Sequence, residues 1–357
     1  MLTLASLVAC SVRAYGGPST LLISSSPGQP LAPAWCRGSK LKVMMISKFA
    51  IATLISFVPL SALAQSPDVR PPIIDVHVHA PMSPGPLEQF APSLRSMLDS
   101  MDSLNVRFAV LNGVPDVLFA WQQEVEKRMG VLPSLLFPCL NGVAVMWGRP
   151  CFENAENWPD LDRLRDYIES GRVQALGEIA TQFLGLGPSD PALEPYFALA
   201  EEYDLPVFIH MGPGIPGTNY GGGMGDLAVP NYRATAGNPL LLEEALLRHP
   251  GVRVAVMHAG WPLADEMVFM LHQHPQVYAE VGLLQYTELF PRAGYYSFLQ
   301  RLVDAGFSNR ILFGSDASVA EGIDAILEAD FLTEQQKRDI LCNNAARFLR
   351  LDKGICE

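Results

Sequence analysis

Histidine and acidic residues follow several short apolar runs in this 357-residue chain. The first run ends in Asp75-Val76-His77-Val78-His79, and later runs end in Gly177-Glu178-Ile179, Ile209-His210-Met211, Met257-His258-Ala259-Gly260 and Phe313-Gly314-Ser315-Asp316. His77 and His79 are two residues apart and share one face of a strand, so both imidazoles can bind one metal ion. Burying so many ionisable groups is costly unless a metal or mutual pairing compensates. The pattern therefore predicts a metal-binding cluster.

These runs read as strands that alternate with amphipathic helical stretches. The expected strands are Ile73–His79, Phe108–Asn112, Ser134–Leu140, Ala175–Ile179, Val207–Met211, Arg253–His258, Val277–Val281 and Ile311–Ser315. A last helical region, Glu321–Leu349, is expected to break near Thr333, which has capping-box spacing to Gln336. Eight strand–helix units in about 290 residues predict an α/β fold, a single-domain (β/α)8 TIM barrel over residues 65–357. An open doubly wound sheet also fits the alternation, but no GxGxxG follows a strand.

The ordered motifs resemble a known family of barrel enzymes. The resemblance is carried by Asp75–His79, Ile209-His210, Met257–Gly260, Leu312–Asp316 and the closing Cys342–Leu349. Together they resemble the amidohydrolase superfamily, specifically the amidohydrolase-2 family that includes aminocarboxymuconate-semialdehyde decarboxylase. The resemblance covers nearly all of the chain after Pro71. In a barrel of this kind the active site lies at the carboxyl ends of the strands, where these residues fall.

The resemblance implies a divalent metal ion, most commonly zinc, bound by His77, His79, His210 and Asp316. Glu178 resembles a middle-strand glutamate that binds metal in TatD-like relatives, although a carboxylate paired with an arginine at the core rim is the alternative. His258 is implied to bind substrate or to act as an acid or base. A bound cation lowers the pKa of its water to about 7, and Asp316 would accept the proton released.

This chemistry leaves three functions open. The first is a metal-dependent hydrolase of a small amide, ester or lactone, which the presence of Glu178 favours. The second is a non-oxidative decarboxylase of a small carboxylic acid, and the third is a catalytically silent metal-binding barrel. Tyr220 and Arg233 accompany a Gly/Pro-rich segment after the fifth strand, either a lid or a flexible loop, and are candidate substrate-binding residues with Arg149.

The first 64 residues differ in composition from the rest. They contain no acidic residue, and a basic Lys48 precedes the apolar run Phe49–Leu60 and the small residues of Ser61-Ala62-Leu63-Ala64. This pattern predicts a signal peptide that starts near Met44 and is cleaved after Ala64, although an uncleaved membrane anchor is the alternative. Cleavage predicts a periplasmic or secreted protein without stable membrane association.

Charge and cysteine content limit the partners further. The chain has a net charge of −12 and no basic stripe, so nucleic acid is excluded and a small-molecule substrate is expected. A homodimer would be ordinary for such a barrel. Cleavage leaves four cysteines, which have three possible pairings or remain free thiols: Cys139, Cys151, Cys342 and Cys356.

Overall fold

Eight parallel strands form the centre of the protein. The structure is a computed structural model that describes residues 70–80, 87–137, 160–214, 216–220 and 229–357. The strands pair in chain order: β1 (Ile73–His79), β2 (Val106–Gly113), β3 (Gly130–Phe137), β4 (Ala175–Ile179), β5 (Val207–His210), β6 (Val254–Met257), β7 (Val277–Glu280) and β8 (Ile311–Leu312). Between β8 and β1, the Val76 N–H donates to the Phe313 carbonyl oxygen at 3.1 Å. The sheet is thus a nearly closed barrel, consistent with the predicted (β/α)8 fold.

Helices connect the strands around the outside of the barrel. They are α1 (Leu87–Ser103), α2 (Pro115–Val125), α3 (Leu161–Glu169), α4 (Glu194–Glu202), α5 (Glu243–Arg248), α6 (Ala264–Gln273), α7 (Arg292–Asp304), α8 (Val319–Leu327), α9 (Glu334–Arg338) and α10 (Asn344–Leu349). The predicted break at Thr333 is confirmed, because Thr333 and Gln336 form a complete capping box at the start of α9. A π-helical turn, Asp339–Asn343, joins α9 to α10. The predicted signal peptide and its cleavage site lie outside the described residues.

The barrel interior is apolar at one end and polar at the other. Side chains two residues apart share a face, so Phe208 and His210 both point inward from β5. Phe348 of α10 packs against Phe208 and Tyr278, with ring centroids 5.5 and 4.9 Å apart. Arg253, which precedes β6, also donates to the Phe348 carbonyl oxygen. The last helix therefore closes the amino-terminal end of the barrel, and the polar strand ends lie at the opposite end.

A disulfide bond links Cys342 to Cys356, with their Cα atoms 5.8 Å apart. It fastens the C-terminal turn Lys353–Cys356 to the segment that closes the barrel. This is one of the pairings that the sequence left open; Cys139 and Cys151 lie outside the described residues. Within the described ranges, no helix is both long enough and apolar enough to cross a lipid bilayer.

Candidate metal centre

The barrel brings six of the predicted site residues into one cluster. Each of them lies in the carboxyl-terminal part of a strand or within four residues after one, and hydrogen-bond or ion-pair contacts connect them all: His77, His79, Glu178, His210, His258 and Asp316. None of the six is exposed. The cluster thus lies where barrel enzymes carry their active sites.

The first group of donor atoms contains His77, His79 and Asp316. The Nε2 atoms of His77 and His79 are 3.0 Å apart, and Asp316 Oδ1 lies 3.5 and 3.2 Å from them. Glu178 Oε2 is 3.8 and 3.5 Å from the same two nitrogens. Ligands of one tetrahedral zinc ion lie about 3.3 Å apart, given metal–ligand bonds of about 2.0–2.1 Å. The spacing of these atoms therefore fits a shared divalent cation.

A second group of donor atoms lies on the other side of Glu178. Glu178 Oε1 is 2.5 Å from His210 Nδ1 and 3.5 Å from His258 Nε2, and these two nitrogens are 3.1 Å apart. His210 thus contacts Glu178 and His258, whereas the sequence grouped it with His77, His79 and Asp316. One carboxylate presents an oxygen to each group. The roles of the individual residues as ligands stay predictions.

The inward position of Glu178 depends on an irregularity in β4. Strict alternation would place Ala175 and Gly177 inside the barrel and Glu178 outside it. The pairing register of β4 with β5 shifts between Leu176 and Ile179, and its pairing with β3 also shifts there. Such irregularities re-aim a side chain near a functional site. Glu178 consequently faces the histidines.

Sequence reasoning missed Glu280 at the end of β7. This side chain has no exposed surface, and its Oε2 atom lies 3.3 Å from His77 Nδ1. Its carboxylate also accepts hydrogen bonds from the backbone N–H groups of His258, at 3.1 Å, and Gly282. The available signal was its position: like the other site residues, Glu280 follows the apolar residues of a strand.

Electrostatic interactions keep the carboxylates of the cluster ionised. Burial raises the pKa of Glu178 and Asp316, but the charge and hydrogen-bond interactions of the surrounding histidines together outweigh burial and lower both pKa values. Burial lowers the pKa of His77, yet the charges of Asp316 and Glu280 raise it well above its ordinary value. Burial lowers the pKa of His210. Ionised oxygens beside closely facing imidazole nitrogens are the donors that zinc takes, so these residues fit a divalent metal ion.

Two residues of the cluster adopt backbone conformations that side chains usually avoid. His258 and Asp316 each have φ of 56°, in the left-handed region, and Ala259 follows with φ of 49°. Such conformations are costly and persist where the surrounding structure imposes them, which is common at active sites. Here they turn the chain sharply directly after β6, at His258 and Ala259, and again four residues after β8, at Asp316.

A cavity of about 570 Å³ lies beyond the ends of β5 and β6, and the six cluster residues are not part of its wall. Its wall includes Gly212, Tyr232, Trp261 and Leu263. Gly212 lies close to His258, since a Cβ added at Gly212 would be 2.5 Å from the His258 Cβ. The Tyr232 hydroxyl accepts hydrogen bonds from the Gly214 N–H at 2.7 Å and from the Gln182 side chain at 2.9 Å. This network holds the loop that forms the wall.

The predicted substrate-binding residues differ in position. Tyr220 lines the rim of this cavity and is 89% exposed. Arg233 is exposed, and its guanidinium donates to the backbone carbonyl oxygens of Pro230 and Tyr232 at 2.9 Å each. Arg149 lies outside the described residues. Substrate binding by these three side chains stays a prediction.

A barrel with a cluster of metal-type donors at the carboxyl ends of its strands defines a class of metal-dependent enzymes. A family model described as Amidohydrolase matches residues 74–351. The chain therefore belongs to the amidohydrolase-2 family, as the sequence motifs predicted. Members of this family are metal-dependent enzymes and include hydrolases and decarboxylases. No curated protein sequence matches the chain significantly.

Solved structures share the fold at low sequence identity. An uncharacterised TIM-barrel protein from Bordetella bronchiseptica matches with 17% identity and a TM-score of 0.53, over 78% of this chain and 98% of its own. The 5-carboxyvanillate decarboxylase from Sphingomonas paucimobilis matches with 12% identity and a TM-score of 0.52, over 79% and 99%. An amidohydrolase from Burkholderia multivorans with bound zinc matches with 14% identity and a TM-score of 0.51, over 79% and 100%. At these identities the likeness establishes the fold alone.

Proposed function

We propose that this protein is a metal-dependent hydrolase acting on a small amide, ester or lactone. The observation that carries the proposal is the position of Glu178, whose two oxygens face separate groups of donor atoms. Glu178 Oε2 lies 3.8 and 3.5 Å from the Nε2 atoms of His77 and His79, so this carboxylate would help to hold a divalent ion, which would make water reactive toward a carbonyl group. Family membership supports the requirement for metal.

In this proposal His77, His79 and Asp316 would hold the ion together with Glu178, and His210, from the second group of donor atoms, would supply a further ligand. Zinc is the proposed metal, since imidazole and carboxylate are its usual ligands outside thiolate sites. The bound ion supplies Lewis acidity, which makes water reactive at neutral pH and polarises a carbonyl group. Every other part of the chemistry falls to the side chains around it.

Asp316 and His258 are the proposed proton-transfer groups. Asp316 is ionised and accepts the proton of the attacking water, then delivers it to the leaving group. Burial lowers the pKa of His258, but its interactions with Glu178 and Asp316 outweigh this effect and raise it. Protonated His258 donates from Nδ1 to the Gly282 carbonyl oxygen, 3.0 Å away, and from Nε2 to the carbonyl oxygen under attack.

The cavity beside His258 is the proposed site for the non-reacting part of the substrate. Trp261, Leu263 and Pro213 give its wall an apolar character, and the Tyr232 hydroxyl is engaged by the loop itself. An apolar or aromatic substituent seated there would place an attached carbonyl group beside His258. Tyr220, at the rim, is proposed to contact the same substituent.

We also propose that the protein is exported and cleaved after Ala64. The Cys342–Cys356 disulfide supports export, because disulfides persist mainly in oxidising compartments. N-terminal sequencing of the mature protein from its host tests this directly. We expect Gln65 at the amino terminus; a chain that retains residues 1–64 would contradict cleavage.

Metal analysis and a substrate screen test the function. We expect the purified protein to hold one or two equivalents of zinc or another divalent ion, and His77→Ala to lose it. A screen of amides, esters and lactones is expected to find hydrolysis that depends on this metal. A protein that binds no divalent ion when supplied with one would overturn the metal assignment. Release of carbon dioxide from an aromatic acid without consumption of water would instead identify a decarboxylase.

A further inference from the structure

We propose that Glu280 is a positioning residue that fixes the protonation pattern of His77 and, through the turn Glu280–Gly282, the orientation of His258. The inference rests on the proposed metal-dependent function, because it assigns Glu280 a role in preparing the ligand atoms. Glu280 does not belong to the ligand set that the motifs predict. Its role follows from three contacts of one buried carboxylate.

The first contact selects which nitrogen of His77 carries hydrogen. Glu280 Oε2 lies 3.3 Å from His77 Nδ1, and a carboxylate oxygen accepts a hydrogen bond only from a protonated nitrogen. Nδ1 of His77 therefore carries a hydrogen, and Nε2, which faces His79 and Asp316, is the nitrogen that would release its proton and offer a lone pair to a metal ion. Carboxylates that contact the outer nitrogen of a histidine ligand orient the ring and increase its basicity.

The second and third contacts bind the carboxylate to the backbone around His258. The His258 N–H donates to Glu280 Oε2 at 3.1 Å, and the Gly282 N–H donates to Glu280 Oε1. The Gly282 carbonyl oxygen in turn lies 3.0 Å from His258 Nδ1. This turn therefore directs Nδ1 of both histidines away from the donor cluster and leaves both Nε2 atoms facing it.

Two glycines leave space for this arrangement. A Cβ added at Gly282 would collide with the Glu280 carboxylate and lie 3.0 Å from His77 Nδ1. A Cβ added at Gly314 would collide with the same carboxylate and lie 2.5 Å from the His77 Cβ. The backbone at Gly282 and Gly314 thus packs closely against two sides of the Glu280 carboxylate. The carboxylate cannot turn away from His77 without breaking its backbone hydrogen bonds.

The test combines a zinc-binding measurement with a spectroscopic one. Glu280→Gln replaces a carboxylate that accepts from three donors by an amide that cannot accept from all of them. We expect its zinc dissociation constant to rise roughly 10- to 100-fold, the usual effect of removing such a partner. Gly282→Ala, which leaves every donor side chain chemically intact, is expected to weaken zinc binding in the same direction. Glu243→Gln is the matched control, since Glu243 contacts His274 at 3.4 Å outside the site.

Nitrogen-15 NMR of labelled histidines reads the protonation pattern directly. In the zinc-loaded wild type we expect His77, assigned by comparison with His77→Gln, to carry its hydrogen on Nδ1. A His77 that is unprotonated at Nδ1 would overturn the proposal, and this measurement needs no variant of Glu280 to fold. Wild-type zinc affinity in both Glu280→Gln and Gly282→Ala would overturn it as well.

Failure of the proposed function gives a different result. If the wild type binds no zinc, the metal assignment fails, and the positioning role is judged in the metal-free protein. There, the Nδ1–H signal of His77 must be present and must change in Glu280→Gln but not in Glu243→Gln. If it does not, Glu280 has no positioning role.

Discussion

Gly212→Ala offers a sharp test of the position proposed for His258. The new methyl group would lie 2.5 Å from the His258 Cβ, 2.8 Å from Cδ2 and 2.9 Å from Cγ. Carbon atoms in ordinary contact are about 3.5–4.0 Å apart, so either His258 or the backbone at residue 212 must move by roughly 1 Å. His258 is only 1% exposed, so its ring has little free space around it.

A displacement of this size has a predictable effect on catalysis. Misplacing a catalytic group by about 1 Å can reduce the rate roughly 100-fold, or about 2.7 kcal/mol of transition-state stabilisation. If residue 212 moves instead, its carbonyl oxygen loses the hydrogen bonds from Gln182, at 3.0 Å, and Tyr232, at 3.2 Å. We therefore expect kcat/KM to fall about 100-fold, while zinc content stays that of wild type because the methyl group meets His258 first.

The assay is steady-state hydrolysis of the best substrate from the screen, with metal analysis of the same samples. Gly294→Ala is the matched control: its Cβ meets no atom within 4 Å, and it lies within helix α7, where alanine is the better residue. We expect that control to retain full activity. Wild-type activity in Gly212→Ala, with zinc still bound, would refute the assignment of His258 to the reaction.

Three further predictions concern the metal, the cavity and the disulfide. His77→Ala is expected to lose its metal ion, whereas His258→Ala is expected to keep the ion and lose turnover. Metal analysis and activity measured on the same samples separate the two effects. Full activity in His258→Ala would exclude His258 from the mechanism. Trp261→Ala is expected to raise KM about tenfold for aromatic substrates and much less for small aliphatic ones, because it removes apolar wall area; equal effects on both would contradict the proposed cavity role. Replacing Cys342 and Cys356 by serine is expected to lower the free energy of unfolding by about 3 kcal/mol, because the bond closes a loop between residues 14 positions apart and so restricts the unfolded chain. Urea denaturation measures this change. An unchanged urea midpoint would mean that the bridge contributes nothing.

The sequence predicted the barrel well because its strands are short apolar runs separated by helical patterns. The predicted limits of the first strand, Ile73–His79, and of Ala175–Ile179 are those observed. The last predicted strand, Ile311–Ser315, is shorter in the structure and ends at Leu312. Phe313 still accepts a hydrogen bond from Val76 of β1, and Asp316 then adopts a left-handed conformation, which no local pattern announces.

The sequence was less informative about which site residues contact one another. His77 and His79 share a face through strand alternation alone, so their proximity was predictable. The sequence left two roles open for Glu178, a metal ligand or a carboxylate at the core rim, and the inward direction of its side chain depends on a register shift between β4 and its neighbours. Glu280 was overlooked because the residues that it contacts, His77 and His258, are distant from it in sequence.

The sequence by itself thus determined the family, the barrel and the residue types of the metal cluster, because strand periodicity and motif order are local properties of the chain. Only the tertiary structure decided that His210 contacts Glu178 and His258, that Cys342 pairs with Cys356, and that Glu280 contacts His77. These contacts join residues on different strands or turns, and closure of the barrel brings them within hydrogen-bonding distance. Their geometry depends on angstrom-scale register and backbone turns, which strand periodicity does not specify.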